Sequence, residues 1–441
     1  MAVKWGKKSW VQLVLSFLAL AYVVVDFTYS TQNNVHATWH EIIIVGNLHG
    51  FESTVGEVMA PYWYAYLIMF AVWGIFVTLY VKISEHARRY VNIALTAGWI
   101  GILIWMLILD IPHRLTDRDK QILQQIDLPK DSIQPMPTGH TVLLLGESWE
   151  SWALDARCTN GDSVCTYLLR YMDTHPCLYV HQLECQKRHG VSGDGQLIIQ
   201  SGLLPMRYGV AAMTHPEDPR PSYVQIYPKG VLVNSKDKYW NWQETAKQYG
   251  YDEYHILPQN IFHCNDSLLL EELQAQIMRA DTPTFFGVYT ISTHNPYRQH
   301  TNQVTVGDEY TACDKRYLNC CAFADRQIGR FLAWADTAEC MKDARIIFTS
   351  DHNIFPKDEK RGKCILIMSS PNIHESRYIE DAYQMDVYTT IVNDMGIRGG
   401  WRGFGINLLD STAERNIRPE EALTLSDWMI RHNYFDKNNN K

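Results

Sequence analysis

Residues 1–157 contain no cysteine, and residues 31–59 contain no lysine or arginine. The chain has no CxxC pair, no internal repeat, and no low-complexity tract beyond the polar tail "DKNNNK". It also has no surplus of positive charge, since the formal net charge is −8. Each absence excludes something. Without a basic surplus, nucleic acid is not the expected partner. Without CxxC, a cysteine-built zinc site has no signature. A loop bare of Lys and Arg, between segments whose flanks carry them, fits the face of a membrane away from the cytoplasm.

Three long apolar runs are present, all before residue 112. They extend from Trp10 to Tyr29, Ala60 to Tyr80 and Val91 to Ile111. Each holds about 20 residues, the length that a hydrocarbon core of about 30 Å demands. Lys4, Lys7 and Lys8 precede the first run, and Lys82, Arg88 and Arg89 lie between the second and third. The positive-inside rule then places the N-terminus in the cytoplasm. Three crossings of a cytoplasmic (inner) membrane leave everything after Ile111 on the extracytoplasmic, periplasmic side. A cleaved signal peptide is an alternative reading of the first run, but two further spans make it unnecessary. Ten cysteines, Cys158, Cys165, Cys177, Cys185, Cys264, Cys313, Cys320, Cys321, Cys340 and Cys364, all fall in the part expected outside. An even number there reads as a disulfide set whose pairing the sequence leaves open.

Residues 1–111 thus form a membrane domain. Residues 112–138, with Pro112, Pro129, Pro135 and Pro137, read as a linker with a short helix from Asp117 to Ile126. From 139 to 441 the pattern changes. "HTVLLLGES", "TPTFFGVYTIS", "ARIIFTSD" and "CILIMSS" are short apolar runs, as expected of strands buried on both faces. "RYLNCCAFADRQIGRFLAWA" spaces Tyr317, Cys321, Ala324, Ile328 and Phe331 by three and four, one apolar face of a helix. "YQMDVYTTIVNDMGI" is a second helical pattern, closed by Gly396. Strands alternating with helices predict an α/β domain with a largely parallel sheet.

In such sheets ligands bind beyond the C-terminal ends of the strands. Glu147, His294 and the pair Asp351–His352 each follow a predicted strand. Carboxylates and imidazole together suit a divalent ion such as Zn²⁺ or Mn²⁺.

The order of these motifs resembles the lipid-headgroup phosphotransferases of the alkaline phosphatase superfamily, the lipoteichoic acid synthases and phosphoethanolamine transferases. "LLLGESWES", "GVSGDGQLIIQSGLLP", "YWNWQETAKQYGYDEYH", "TISTHNPY", "FTSDHN" and the closing "YQMDVYTTIVNDMGIRGGWRGFGINLLD" carry the resemblance across most of residues 139–410. It implies N-terminal transmembrane helices followed by an extracytoplasmic sulfatase-like α/β domain. It implies one divalent metal, Zn or Mn with Mg possible, held by Glu147, Ser192, Asp351 and His352. Ser192 falls on the nucleophile, His294 on a substrate-side catalytic histidine, and Trp240 on a substrate-binding tryptophan.

Two departures bear on specificity. The nucleophile is Ser where these families use Thr, which keeps the hydroxyl and drops a methyl that stiffens χ1. Trp242 stands where the synthases carry an arginine that contacts phosphoglycerol. An aromatic wall of Trp240 and Trp242 suits an ammonium group, so phosphoethanolamine stands beside phosphoglycerol as the transferred headgroup. The implied partners are a phospholipid donor and an extracytoplasmic lipid or glycan acceptor such as lipid A. A membrane-anchored phosphodiesterase or phosphatase would use the same site. A formylglycine sulfatase would need a C/S-x-P/A-x-R sequence, and Ser192 is followed by "GDGQ". A metal-free scaffold on the same fold is the non-enzymatic alternative.

Overall fold

The computed structural model describes residues 9–33, 36–40, 59–109, 111, 113–126, 136–237, 239–297, 299–354 and 361–436. Lys4, Lys7, Lys8, and Pro112, Pro129 and Pro135 of the expected linker, lie outside the described residues. The chain divides into two compact units, Met1–Pro112 and His113–Lys441.

The first unit contains three helices, Ser9–Asn33, Trp63–Lys82 and Glu85–Leu109. Within them Trp10–Thr31, Ala60–Lys82 and Glu85–Ile108 are long and apolar enough to cross a membrane. Hydroxyls and amides tie the helices to one another, as interhelical polar groups do in an apolar medium. Trp73 Nε1 donates to Ser16 Oγ at 3.2 Å, Thr28 and Tyr66 share a hydroxyl bond of 2.9 Å, and Gln12 donates to Thr96 at 3.3 Å. The third helix begins at Glu85, earlier than the apolar run. Arg88 turns back to donate to the carbonyls of Val81 and Ile83 and so stitches the tight connection between the last two helices. Asp26 is a carboxylate inside the first span, engaged by the Ala37 amide at 2.7 Å and by His36 at 3.1 Å.

The second unit is built on one sheet of eight strands, β1 (Thr141–Gly146), β2 (Leu178–Glu184), β3 (Lys229–Ser235), β4 (Glu253–Leu257), β5 (Thr284–Tyr289), β6 (Arg345–Ser350), β7 (Lys363–Ser369) and β8 (Arg377–Tyr383). Their order is β4-β3-β5-β1-β6-β7-β2-β8. Only β7 runs antiparallel to its neighbours. The four apolar runs read from the sequence are β1, β5, β6 and β7, the centre of the sheet, and β1, β5 and β6 are buried along their whole length. The outer strands were hidden from pattern reading. β8, "RYIEDAY", is largely exposed and polar, and β4 is partly exposed.

Alternate residues of β1 serve two layers. Leu143 and Leu145 join a core with Leu197 and Ile198 of the helix Ser192–Ser201, with Val387, Tyr388 and Ile391 of the helix Met385–Asp394, and with Leu425 and Met429 of Pro419–Arg431. Ile122 and Leu123 of the helix Asp117–Ile126 belong to the same core. The helix Asp266–Arg279 packs on β3 and β5 and against Ala312–Ala335. All five residues of the apolar face expected on the latter helix are buried.

The expected disulfide set is absent: all ten cysteines are free thiols. Seven of them are buried, Cys320 and Cys321 on one helix, and pack as small apolar side chains. Cys185 and Cys364 meet between the end of β2 and β7 as a hydrogen-bonded thiol pair.

Asp386 anchors the start of its helix. It is fully buried, and its carboxylate accepts from Arg415 at 2.6 Å and from the amides of Ile406 and Tyr383 at 2.9 Å each. Removing one partner of a buried ion pair strands the other, at about 3–5 kcal/mol. Asp386→Ala is expected to lose that much stability, read from thermal or denaturant unfolding of the full chain.

Candidate metal centre and nucleophile

The register between β1 and β6 sets the site. The strands are parallel neighbours, and Gly146 pairs with Ser350. Glu147 and Asp351 are therefore the next residues on adjacent strands, delivered side by side. The Asp351 amide continues the ladder by donating to the Gly146 carbonyl at 3.0 Å. On the other side of β1, the chain beyond β5 holds Glu147. Its amide donates to Thr290 Oγ1 at 3.0 Å, and its carbonyl accepts from the Thr293 hydroxyl.

His352 follows Asp351. Its Nδ1 lies 2.9 Å from the Asn353 carbonyl, which can only accept. Nδ1 therefore carries the proton, and Nε2 presents a lone pair. Nε2 lies 3.4 Å from Glu147 Oε1 and 3.6 Å from Asp351 Oδ2. Ligand atoms of Glu147, Asp351 and His352 all fall within 4.8 Å of one another, and all three residues are buried.

Ser192 is the first residue of the helix Ser192–Ser201. Its Oγ is 3.3 Å from Glu147 Oε2 and 3.2 Å from His352 Nε2. The helix comes this close because of its glycines. A Cβ at Gly195 would collide with the carbonyl of Asp351, so only glycine allows the first turn to rest on the end of β6. A Cβ at Gly193 would come within 3.2 Å of the Trp240 Cβ, which places that residue directly beside the start of the Ser192 helix. Asp194 braces the approach to the helix by accepting from the amides of Arg188 and Gly190, both at 2.8 Å. The Gly190 amide is thus committed to the protein and is not a phosphate donor.

Four expected residues, Glu147, Ser192, Asp351 and His352, converge. His294 lies half-buried on the loop after β5, near enough for its charge to act on Glu147. Trp240 is partly exposed beside Gly193. Trp242 corrects the expectation of a two-indole wall. It is 3% exposed, packs in the core near Tyr254, and spends its Nε1–H on the Asp237 carbonyl. It begins the helix Trp242–Tyr249, whose apolar face turns it inward.

The structure adds residues that sequence reading missed. Ser148 donates through Oγ to Glu147 Oε1 at 2.6 Å and lies 3.3 Å from His352 Nε2. It stood next to Glu147 in the strand-end sequence, so a hydroxyl beside a candidate ligand was the available signal. Lys187 donates to the Asn353 carbonyl at 2.6 Å, and Gln384 holds the Asp351 carbonyl at 2.6 Å. These carried no signal, because only the fold brings β2 and β8 to that edge.

Electrostatics decide what the cluster can hold. Burial disfavours charge on both carboxylates. His294 and the Ser148 hydroxyl nevertheless keep Glu147 low, whereas burial and the Glu147 charge push the Asp351 carboxyl well above its ordinary range. Burial and the nearby Lys187 ammonium keep His352 neutral. Two buried carboxylates and a neutral imidazole lone pair at this spacing are an incomplete charge arrangement that a divalent cation completes.

Residues 222–397 match the Sulfatase family model, a span that contains His294, Asp351 and His352. The second unit has a sulfatase-like α/β fold. Among solved structures, the lipoteichoic acid synthase LtaP from Listeria monocytogenes is similar at 14% identity and a TM-score of 0.57, over 73% of this chain and 98% of that one. An alkaline phosphatase superfamily protein from Vibrio parahaemolyticus aligns at 16% identity and 0.54, over 68% and 80%. The Streptococcus pyogenes phosphoglycerol transferase GacH, solved with sn-glycerol-1-phosphate, aligns at 12% identity and 0.51, over 72% and 90%. No curated protein matches the sequence. The sulfatase-like domain begins its family match after Glu147 and Ser192, so geometry rather than alignment brings those two to the cluster.

A raised Asp351 carboxyl holds a proton that a cation must displace. Affinity is then expected to rise with pH, by about tenfold per unit while one proton leaves per ion bound. Titrating Mn²⁺ into the full chain at several pH values, with proton release recorded, checks both the direction and the count.

Proposed function

We propose that the chain is a membrane-anchored, divalent-metal-dependent transferase of phospholipid headgroups, phosphoethanolamine or phosphoglycerol. It works from the extracytoplasmic face through a phosphoryl-serine intermediate. The observation that carries this reading is the position of Ser192 Oγ, 3.3 Å from Glu147 Oε2 and 3.2 Å from His352 Nε2 at the start of a helix. Of the two hydroxyls in the cluster it is the accessible one, for Ser148 is only 3% exposed.

Glu147, Asp351 and His352, with Ser192, would hold Zn²⁺ or Mn²⁺, with Mg²⁺ a third candidate. When bound, the ion lowers the pKa of a hydroxyl and offsets phosphate charge. Ser192 Oγ passes its proton to water and attacks phosphorus, and the bond from phosphorus to the diacylglycerol oxygen breaks. His294 supplies the proton to that leaving oxygen. The headgroup phosphate now sits on Ser192. An acceptor hydroxyl, on a lipid or glycan such as lipid A, then returns a proton to His294 and attacks the same phosphorus, and Ser192 leaves, regaining its proton from water. Trp240 beside Gly193 offers a ring face to the headgroup, which an ammonium would find attractive. Three spans keep the domain near the plane where a phospholipid donor lies. Lys82, Arg88 and Arg89 between the second and third spans support an extracytoplasmic domain.

Full-length protein in detergent, given a phospholipid with a fluorescent acyl chain and Mn²⁺, is expected to release diacylglycerol. Ser192→Ala is expected to release none, a loss of at least about a thousandfold for removing a nucleophile. Intact-mass measurement before acceptor is added should show the headgroup phosphate on Ser192, and its mass distinguishes phosphoethanolamine from phosphoglycerol. Turnover by Ser192→Ala at the normal rate sinks the assignment. Free headgroup phosphate as the sole product makes the enzyme a hydrolase.

A further inference from the structure

Ser148 donates to both carboxylates of the cluster. Its amide reaches Asp351 Oδ1 at 2.8 Å, and its hydroxyl reaches Glu147 Oε1 at 2.6 Å. The two acceptors belong to different strand ends. One residue therefore bridges β1 and β6 beyond the last pair of their ladder. The bridge has a conformational cost, because Ser148 adopts φ of 53°, in the left-handed region where a Cβ is strained. The turn is held there from behind. Tyr317 donates to the Ser148 carbonyl at 3.0 Å while its oxygen accepts from the Glu150 amide at 2.8 Å. At 3% exposure, Ser148 is too enclosed to meet a substrate.

We infer that Ser148 is a positioning residue for the cation, an inference that rests on the metal-binding reading of Glu147, Asp351 and His352. Its two donors engage Oε1 of Glu147 and Oδ1 of Asp351. They leave Oε2 and Oδ2 to the ion and hold the two carboxyl groups at a set separation. Residues that orient metal ligands in this way typically change affinity by about 10- to 100-fold when removed. The strained turn lets both donors converge, so strain relief and metal affinity should move in opposite directions.

The test uses full-length protein in detergent, with Mn²⁺ affinity measured by competition against a chromophoric chelator and the melting temperature measured without metal. Ser148→Ala keeps the amide and removes the hydroxyl, and its dissociation constant for Mn²⁺ is expected to rise about 10- to 100-fold. Ser148→Gly is expected to bind Mn²⁺ equally weakly. Metal-free, it should melt above Ser148→Ala, since glycine occupies the left-handed region without strain. A residue with only a structural role would lower affinity and melting temperature together. Wild-type affinity in Ser148→Ala overturns the inference, and so does a metal-free Ser148→Gly that melts below Ser148→Ala. Wild-type protein that binds no Mn²⁺ overturns the metal reading itself, and the inference falls with it.

Discussion

Two carboxyl groups buried side by side, with room for one negative charge until a cation arrives, govern this site. Parallel pairing of β1 with β6 forces Glu147 and Asp351 together, because the register that pairs Gly146 with Ser350 leaves them as immediate successors. The surroundings read as answers to that constraint. Amides and hydroxyls converge on the carboxylate oxygens, a neutral imidazole turns its lone pair inward, and a serine at a helix start completes the ring.

Legibility followed burial. The central strands could be read from sequence because both of their faces are covered, which makes them continuous apolar runs. β8 was missed because exposed charged residues, Glu380 and Asp381, fall on both of its faces and erase any pattern. The helix bearing Tyr317 and Phe331 was legible because one face is core and the other solvent. The helix that begins at Ser192 was not, since it is buried nearly all round and three glycines precede or open it. Its identity came through resemblance, and its closeness to Glu147 came only from the fold.

The candidate site divides in the same way. Glu147, Asp351 and His352 announced themselves by following apolar runs. Trp240 and Trp242 looked equivalent in sequence, two indoles one residue apart. The chain between them passes through left-handed conformations at Trp240 and Asn241, so neighbouring rings face different surroundings. One lies beside Gly193, next to Ser192, and the other is packing. Ring counting on a motif cannot foresee such a reversal, whereas backbone dihedrals reveal it at once. The cysteines misled for a related reason. Their number suggested bridges, but burial on scattered elements is an equally good use of a small polarisable side chain.

The contact of Gly195 with the Asp351 carbonyl reaches beyond local packing. It is main chain against main chain, without rotamers to adjust. The span from hydroxyl to ligand is therefore gauged by atomic radii rather than by a flexible tether. A hydroxyl at position 192 keeps that gauge whether serine or threonine carries it. A single methyl three residues downstream would reset it.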